Sequence, residues 1–300
     1  MVMRMRAWRR LREVGAALSV ALCLAAGCAV ERATAVELVA GSSDAGGGGG
    51  AEASIEAGPD DAGDDAPGPS SAESGSDAGA SALSCPAATN GIWPSNGQPY
   101  GLPDGGYLVY TDEWDVEAGI GPQELFVCSY DAWYVISTQS GDNAAVKTYP
   151  NVQMTFEDVP IASFDDLTST FAETSPHTGV YEDTYDIWLD GIATAGSKQI
   201  MIWVDVYGQT PLGSQVATTT LDRHTYDVWN TSDNAHVTFV SSDTQSSGSV
   251  NLLDFFSWAD GQGWLGSDPK LSQIDFGVEI VSTGGTAARY DFSNFSINFD

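Results

Sequence analysis

The sequence predicts an all-β fold, an antiparallel β-sandwich or jelly roll occupying residues 85–300. Two observations carry this expectation. Segments of five to eight residues rich in Val, Ile, Thr, Tyr, Phe and Trp alternate with clusters of Gly, Asp, Asn and Ser from residue 85 to the C-terminus. Only one segment, Val250 to Trp258, breaks the pattern by placing Leu252, Leu253, Phe255 and Phe256 at helical spacings before Gly261.

Residues 1–28 read as an export signal. Arg4, Arg6, Arg9, Arg10 and Arg12 form a basic start, and Val14 to Ala26 is an apolar run too short to span a bilayer comfortably. The run ends Leu24-Ala25-Ala26-Gly27-Cys28, which is similar to a bacterial lipoprotein box. That similarity implies Cys28 as a lipidated N-terminus, and ordinary cleavage after Ala33-Thr34-Ala35 is the alternative. The expected location is the bacterial outer membrane or cell surface as a lipoprotein, or the medium as a secreted protein. Membrane contact is expected only through a lipid anchor.

Residues 29–84 read as a disordered acidic linker. From residue 36 onward, Gly, Ala, Ser, Asp, Glu and Pro supply nearly all of it, so there is too little apolar surface to offset ordering entropy. Its acidic residues from residue 36 onward lack basic partners and extend it as a tether. Cys85 and Cys128 are the pair left outside the signal, and in an exported protein they are expected to form a disulfide, two unpaired thiols being the alternative.

Within residues 85–300, strands are expected over 107–110, 125–130, 133–138, 152–156, 185–189, 199–207, 236–241, 271–281 and 292–299. No internal repeat is apparent. On the 199–207 strand, Ile200, Ile202, Val204 and Val206 are aliphatic and β-branched and must face the core. Gln199, Met201, Trp203 and Asp205 alternate with them and suit either a wet concave surface lined for sugar or a solvent-facing edge with an incidental Trp. By the same alternation Glu279 shares a face with Gly277, whose missing side chain would leave room for a ring to approach, a solvated strand Glu being the alternative.

The chain carries a formal net charge of −30, and residues 85–300 hold five Lys/Arg against 29 Asp/Glu. That balance excludes nucleic acid, whose phosphates nothing here could neutralise. It suits a neutral partner such as a glycan. His177, His224 and His236 form no metal-like spacing, and neither a metal nor a cofactor is expected. Glu182-Asp183-Thr184 reads as acidic surface and not as a Ca²⁺ ligand set. There is no Gly-x-Ser-x-Gly elbow and no phosphate loop. A monomer is expected.

Six segments in order carry a more specific signal. They are Tyr107 to Asp115, Ala145 to Asn151, Tyr185-Asp186-Ile187-Trp188, Gln199-Ile200-Met201-Ile202-Trp203, Pro211-Leu212-Gly213 and Phe276-Gly277-Val278-Glu279. Together they resemble glycoside hydrolase family 12, the compact endo-β-1,4-glucanases and xyloglucanases. The resemblance implies a concanavalin-like jelly roll with one helix packed on its back, and a bridge comparable to Cys85–Cys128. It implies Glu279 as general acid/base and Asp186 as the residue orienting the nucleophile. Trp114, Met201, Trp203, Asp205 and Pro211 then bind substrate, a β-glucan polysaccharide.

The nucleophile position holds Gln199. A retaining glycosidase needs two carboxyl groups, one attacking the anomeric carbon and one shuttling the proton. An amide is neutral, forms no glycosyl ester and does not stabilise oxocarbenium charge, so hydrolysis should fall by several orders of magnitude. Its size and hydrogen-bonding reach are nearly those of Glu, so sugar binding is compatible with it. Ile280-Val281 also replace the family's Pro-Phe, and Glu113 and Asp115 replace Leu and Gly around Trp114. Three functions fit: a tethered β-glucan-binding protein with impaired hydrolysis, an active endo-β-1,4-glucanase using another carboxylate such as Asp186 or Asp205, and a structural or adhesive β-sandwich.

Overall fold

The structure is a computed structural model that describes residues 82–94, 106–113, 119–141 and 144–300. The export signal, Cys28, the linker up to residue 81, Trp114 and Asp115 lie outside the described residues.

The strands in chain order are β1 (Ile92–Trp93), β2 (Leu108–Tyr110), β3 (Gln123–Ser129), β4 (Ala132–Ser137), β5 (Asn151–Pro160), β6 (Leu167–Thr174) and β7 (Val180–Leu189). They continue with β8 (Lys198–Tyr207), β9 (Ser214–Leu221), β10 (His224–Asn230), β11 (His236–Ser241), β12 (Ser247–Asn251), β13 (Lys270–Ser282) and β14 (Ala288–Phe299). Among the described residues one α-helix, α1 (Leu252–Gly261), lies between β12 and β13. Every segment expected as a strand is one. The strands not anticipated are β1, β6, β9, β10 and β12. Among them β6, β9 and β12 are Thr- and Ser-rich, so their hydrophobic signal is weak although their alternation is sound.

A nine-stranded sheet runs β1-β2-β5-β13-β7-β8-β11-β10-β9, and a five-stranded sheet runs β12-β6-β14-β4-β3. All described pairs are antiparallel except β8 and β11, which run parallel. The exception follows from the β9–β10 hairpin, which takes the chain away from β8 and returns it in the original direction. The two inner faces build one core from alternate residues. From the large sheet come Ile187, Ile200, Ile202 and Phe276, and from the small one Trp133, Phe171, Phe292 and Phe295. Trp133 stacks on Phe292 at 4.1 Å between ring centroids.

Helix α1 covers inner-face aromatics of the larger sheet. Phe255 meets Tyr226 of β10 and Phe239 of β11 edge-on, at 5.2 and 5.0 Å. Its first turn is capped by Asn251, whose side chain accepts from Leu253 N at 3.2 Å. Cys85 and Cys128 form the expected disulfide, tying the start of the domain to β3.

Candidate active site

The outer face of β13, β7 and β8 carries the candidate site. Pairing registers bring Asp275, Asp186 and Met201 into one row across the three strands, and Gly277, Thr184 and Trp203 into the next. Gln199 lies opposite Trp188 at one end of β7, and Glu279 lies opposite Glu182 towards the other. Asp186 sits between them. Asp186, Gln199, Met201 and Trp203 are all buried although none faces the core, because they pack side by side.

The amide of Gln199 is held from both sides. Its Nε2 donates to Asp186 Oδ2 at 2.6 Å, and its Oε1 lies 2.8 Å from His236 Nδ1. The amide oxygen only accepts, so Nδ1 of His236 carries the hydrogen and donates it. Burial pushes the His236 pKa down, which keeps the ring neutral. His236 reaches Gln199 because the parallel β8–β11 ladder places these two residues opposite one another. No local feature of the sequence pointed to it.

Carboxylates crowd this face. Burial raises the pKa of Asp186, Glu182 and Glu279, and like charges add to the shift for Asp186 and Glu182. Glu182 and Glu279 hydrogen-bond through their side chains. The bond pushes Glu182 up further and offsets part of the rise that burial gives Glu279. Asp275, buried beside Asp186, is raised by desolvation. Asp112 is pushed up to about 7, by burial first and then by Glu279. Tyr149, whose hydroxyl donates to the Thr184 carbonyl at 3.1 Å, lies in the field of Asp186, Asp275, Glu279 and Asp112. Alternation along β7 and β13 could have singled out Glu182 and Asp275. Asp112 and Tyr149 come from outside these strands; both lie in segments that carry the family resemblance, and the fold brings them beside the carboxylates.

Three expectations are corrected. Asp205 does not share the face of Gln199. A bulge at Val204, between the Thr184–Trp203 and Asp183–Asp205 pairs, rotates Asp205 towards the inner side, where Tyr181 and His177 hold it. Gly277 does not leave space for a ring. A Cβ there would collide with the Pro150 carbonyl oxygen and lie 2.7 Å from Asn151 Cα, so the absent side chain admits the neighbouring backbone. Glu182-Asp183 is not surface: both are buried, Glu182 towards Glu279 and Asp183 towards the small sheet. Pro211 lies between β8 and β9 and is partly exposed.

A sequence model of Glycosyl hydrolase family 12 matches residues 105–300. The chain belongs to glycosyl hydrolase family 12. Among family 12 relatives, Endoglucanase A of Aspergillus kawachii is 28% identical over 209 residues, covering 64% of this chain and 87% of that protein. The protein named Inactive glycoside hydrolase XLP1 of Phytophthora nicotianae is 24% identical over 206 residues, covering 64% and 86%. Among solved structures, the xyloglucanase domain of the effector NopAA from Sinorhizobium fredii, in complex with cellobiose, superimposes with a TM-score of 0.55 at 25% identity, covering 68% of this chain and 99% of that one. The family 12 fold, a two-sheet jelly roll with one helix, is thus the fold of this chain.

Proposed function

We propose that this protein binds β-1,4-glucan (cellulose, mixed-linkage glucan or xyloglucan) on the outer face of β13, β7 and β8, and that it hydrolyses the polymer weakly or not at all. The observation that carries this is the clamp on Gln199. An acceptor, Asp186, faces the amide nitrogen, and a donor, His236, faces the amide oxygen. A glutamate at 199 would set a second carboxyl group against Asp186 and would need a shared proton to stay there. Because Asp186 is the residue that the resemblance implies beside the nucleophile, this contact supports 199 as the nucleophile position, held here by an amide that cannot attack the anomeric carbon. Glu279, partly exposed, raised above its ordinary value by burial and hydrogen-bonded to Glu182, is the proton donor that a working site would use. Asp186 is a poor substitute nucleophile, because it is buried and its Oδ2 is taken by Gln199.

The alternative is an active retaining endo-β-1,4-glucanase, favoured by the kinship with Endoglucanase A. Assays on carboxymethyl-cellulose, barley β-glucan and xyloglucan separate the two. The expected result is binding with little hydrolysis by the wild type, and a gain of hydrolysis of about 10²-fold or more in Gln199→Glu. High wild-type activity that Glu279→Gln abolishes and Gln199→Glu leaves unchanged would overturn the proposal. Failure of both forms to bind any β-glucan would favour the structural or adhesive role.

The proposal extends to a tethered, monomeric protein outside the cell, held by lipidated Cys28 through residues 29–84. Cys28→Ser should move the protein from the membrane fraction to the soluble one. Unchanged membrane retention would remove the anchor.

A further inference from the structure

A second cluster of carboxylates lies away from the candidate active site, between the two sheets at the corner where the chain crosses from β6 to β7. Glu173 is the last buried residue on the inner face of β6, after Leu167, Ser169 and Phe171. Asp183 stands on the inner face of β7, and the bulge at Val204 turns Asp205 of β8 to join them. All three are buried, and one oxygen from each lies within 4.8 Å of the others.

The three are not equally provided for. Asp205 is the best provided for: Oδ1 accepts from Val206 N at 2.8 Å and Thr244 Oγ1 at 3.1 Å, and Oδ2 meets His177 Nε2 at 2.9 Å and Tyr181 OH at 3.2 Å. Asp183 is fully buried, yet neither of its oxygens has a hydrogen-bond partner, and one oxygen of Glu173 also has none. The Tyr290 hydroxyl from β14, within the field of Asp183, is buried and equally without a partner. Ser175 sits beside both Glu173 and Asp183, and its hydroxyl makes no well-formed hydrogen bond to either. Buried anionic oxygens without donors are costly, and a native fold supplies something to meet them.

We infer that Glu173, Asp183 and Asp205 form a binding site for a hard divalent cation, Ca²⁺. The donor set is all oxygen, which selects Ca²⁺ or Mg²⁺ over the softer transition metals. Three oxygens no more than 4.8 Å apart lie within about 2.8 Å of a common centre, so a contraction of a few tenths of an ångström brings one oxygen of each carboxylate to the Ca–O distance of about 2.3–2.6 Å. The Tyr290 and Ser175 hydroxyls are further neutral oxygens at the same place. Contributions from β6, β7 and β8 span both sheets, which suits the larger and more tolerant Ca²⁺ better than the strict octahedron of Mg²⁺. His177, with a half-exposed side chain against Asp205, marks the solvent side of the cluster. Burial and mutual repulsion push Glu173 up to about 7 and Asp183 well above its ordinary range, as expected of carboxylates that must otherwise carry protons. An ion here would pin the β6–β7 corner to β8 and stabilise the sandwich without touching sugar.

The test uses the full chain, stripped with EDTA and dialysed at pH 7.5. Ca²⁺ titrated calorimetrically should bind at one site per molecule, and 1 mM Ca²⁺ should raise the unfolding midpoint by about 4 °C or more over EDTA, with a smaller response to Mg²⁺. Tb³⁺ bound in place of Ca²⁺ should luminesce on tyrosine excitation, and Ca²⁺ should displace it. The isosteric Asp183→Asn and Glu173→Gln variants should lose the midpoint shift and the luminescence, while Glu279→Gln, altered in the other acidic cluster, keeps both. Absence of Ca²⁺ binding by the wild type, or a larger response to Mg²⁺, would overturn the assignment. So would an undiminished response in Asp183→Asn, or a response lost only in Glu279→Gln.

Discussion

At the scale of single residues, the chemistry turns on one amide. Replacing Gln199 by Glu restores the two-carboxyl requirement of a retaining glycosidase, and it also places a buried acid in hydrogen-bond contact with Asp186. The two acids would share one proton, as like-charged neighbours must. We expect Gln199→Glu to gain hydrolysis and to lose about 1–3 kcal/mol of stability at neutral pH, recovering part of it at pH 5. Urea unfolding at the two pH values measures this. Equal stability at both would mean that the new acid is not held against Asp186. His236 bears on the same balance, since its N–H is the donor that fixes which way the amide points.

At the scale of elements, two irregularities shape the site. The bulge at Val204 splits one strand into two functions: Gln199, Met201 and Trp203 stay on the outer face, and Asp205 goes to the inner cluster. At Gly277 the beginning of β5 passes so close to β13 that no Cβ fits, and Val278 N donates to the Pro150 carbonyl at 3.1 Å in the same place. The colliding atoms are backbone and have no rotamer to escape into. Gly277→Ala should therefore cost about 3 kcal/mol or more and lower the yield of folded protein. A variant with wild-type midpoint and glucan affinity would show that β5 can shift. Only the closeness of Glu279 to this contact could make its effect resemble a loss of catalysis, and the unfolding midpoint separates the two.

At the scale of the whole molecule, acidity sets the pH response. The formal charge of −30 already favours a compact state at lower pH, where self-repulsion weakens. Native carboxyls raised above their unfolded values act in the same direction. Asp112 moves from 3.8 and Glu173 from 4.5, each to about 7, so the folded chain holds more protons than the unfolded one between those values. Stability then falls as pH rises through that window. In EDTA the unfolding midpoint should be higher near pH 5 than near pH 8, and scanning calorimetry across that range checks it. A midpoint that climbs with pH would mean these acids are ionised and paired in the folded chain.

The sequence by itself determined the strands with strong β-branched and aromatic character, the helix at Leu252–Gly261, the family, and the amide at 199. Each rests on local chemistry: side chains alternate at period two on a strand, a helix repeats near 3.6, and a motif is read where it stands. Four things were decided only by the tertiary structure. His236 meets Gln199 because β8 and β11 pair in parallel. Asp205 leaves the outer face because one residue bulges. Gly277 makes room for backbone, not sugar. Glu173, Asp183 and Asp205 converge from two sheets. All four depend on which strand lies beside which, and in what register. That is set by packing across the whole core, and a shift of one residue reverses every side chain beyond it.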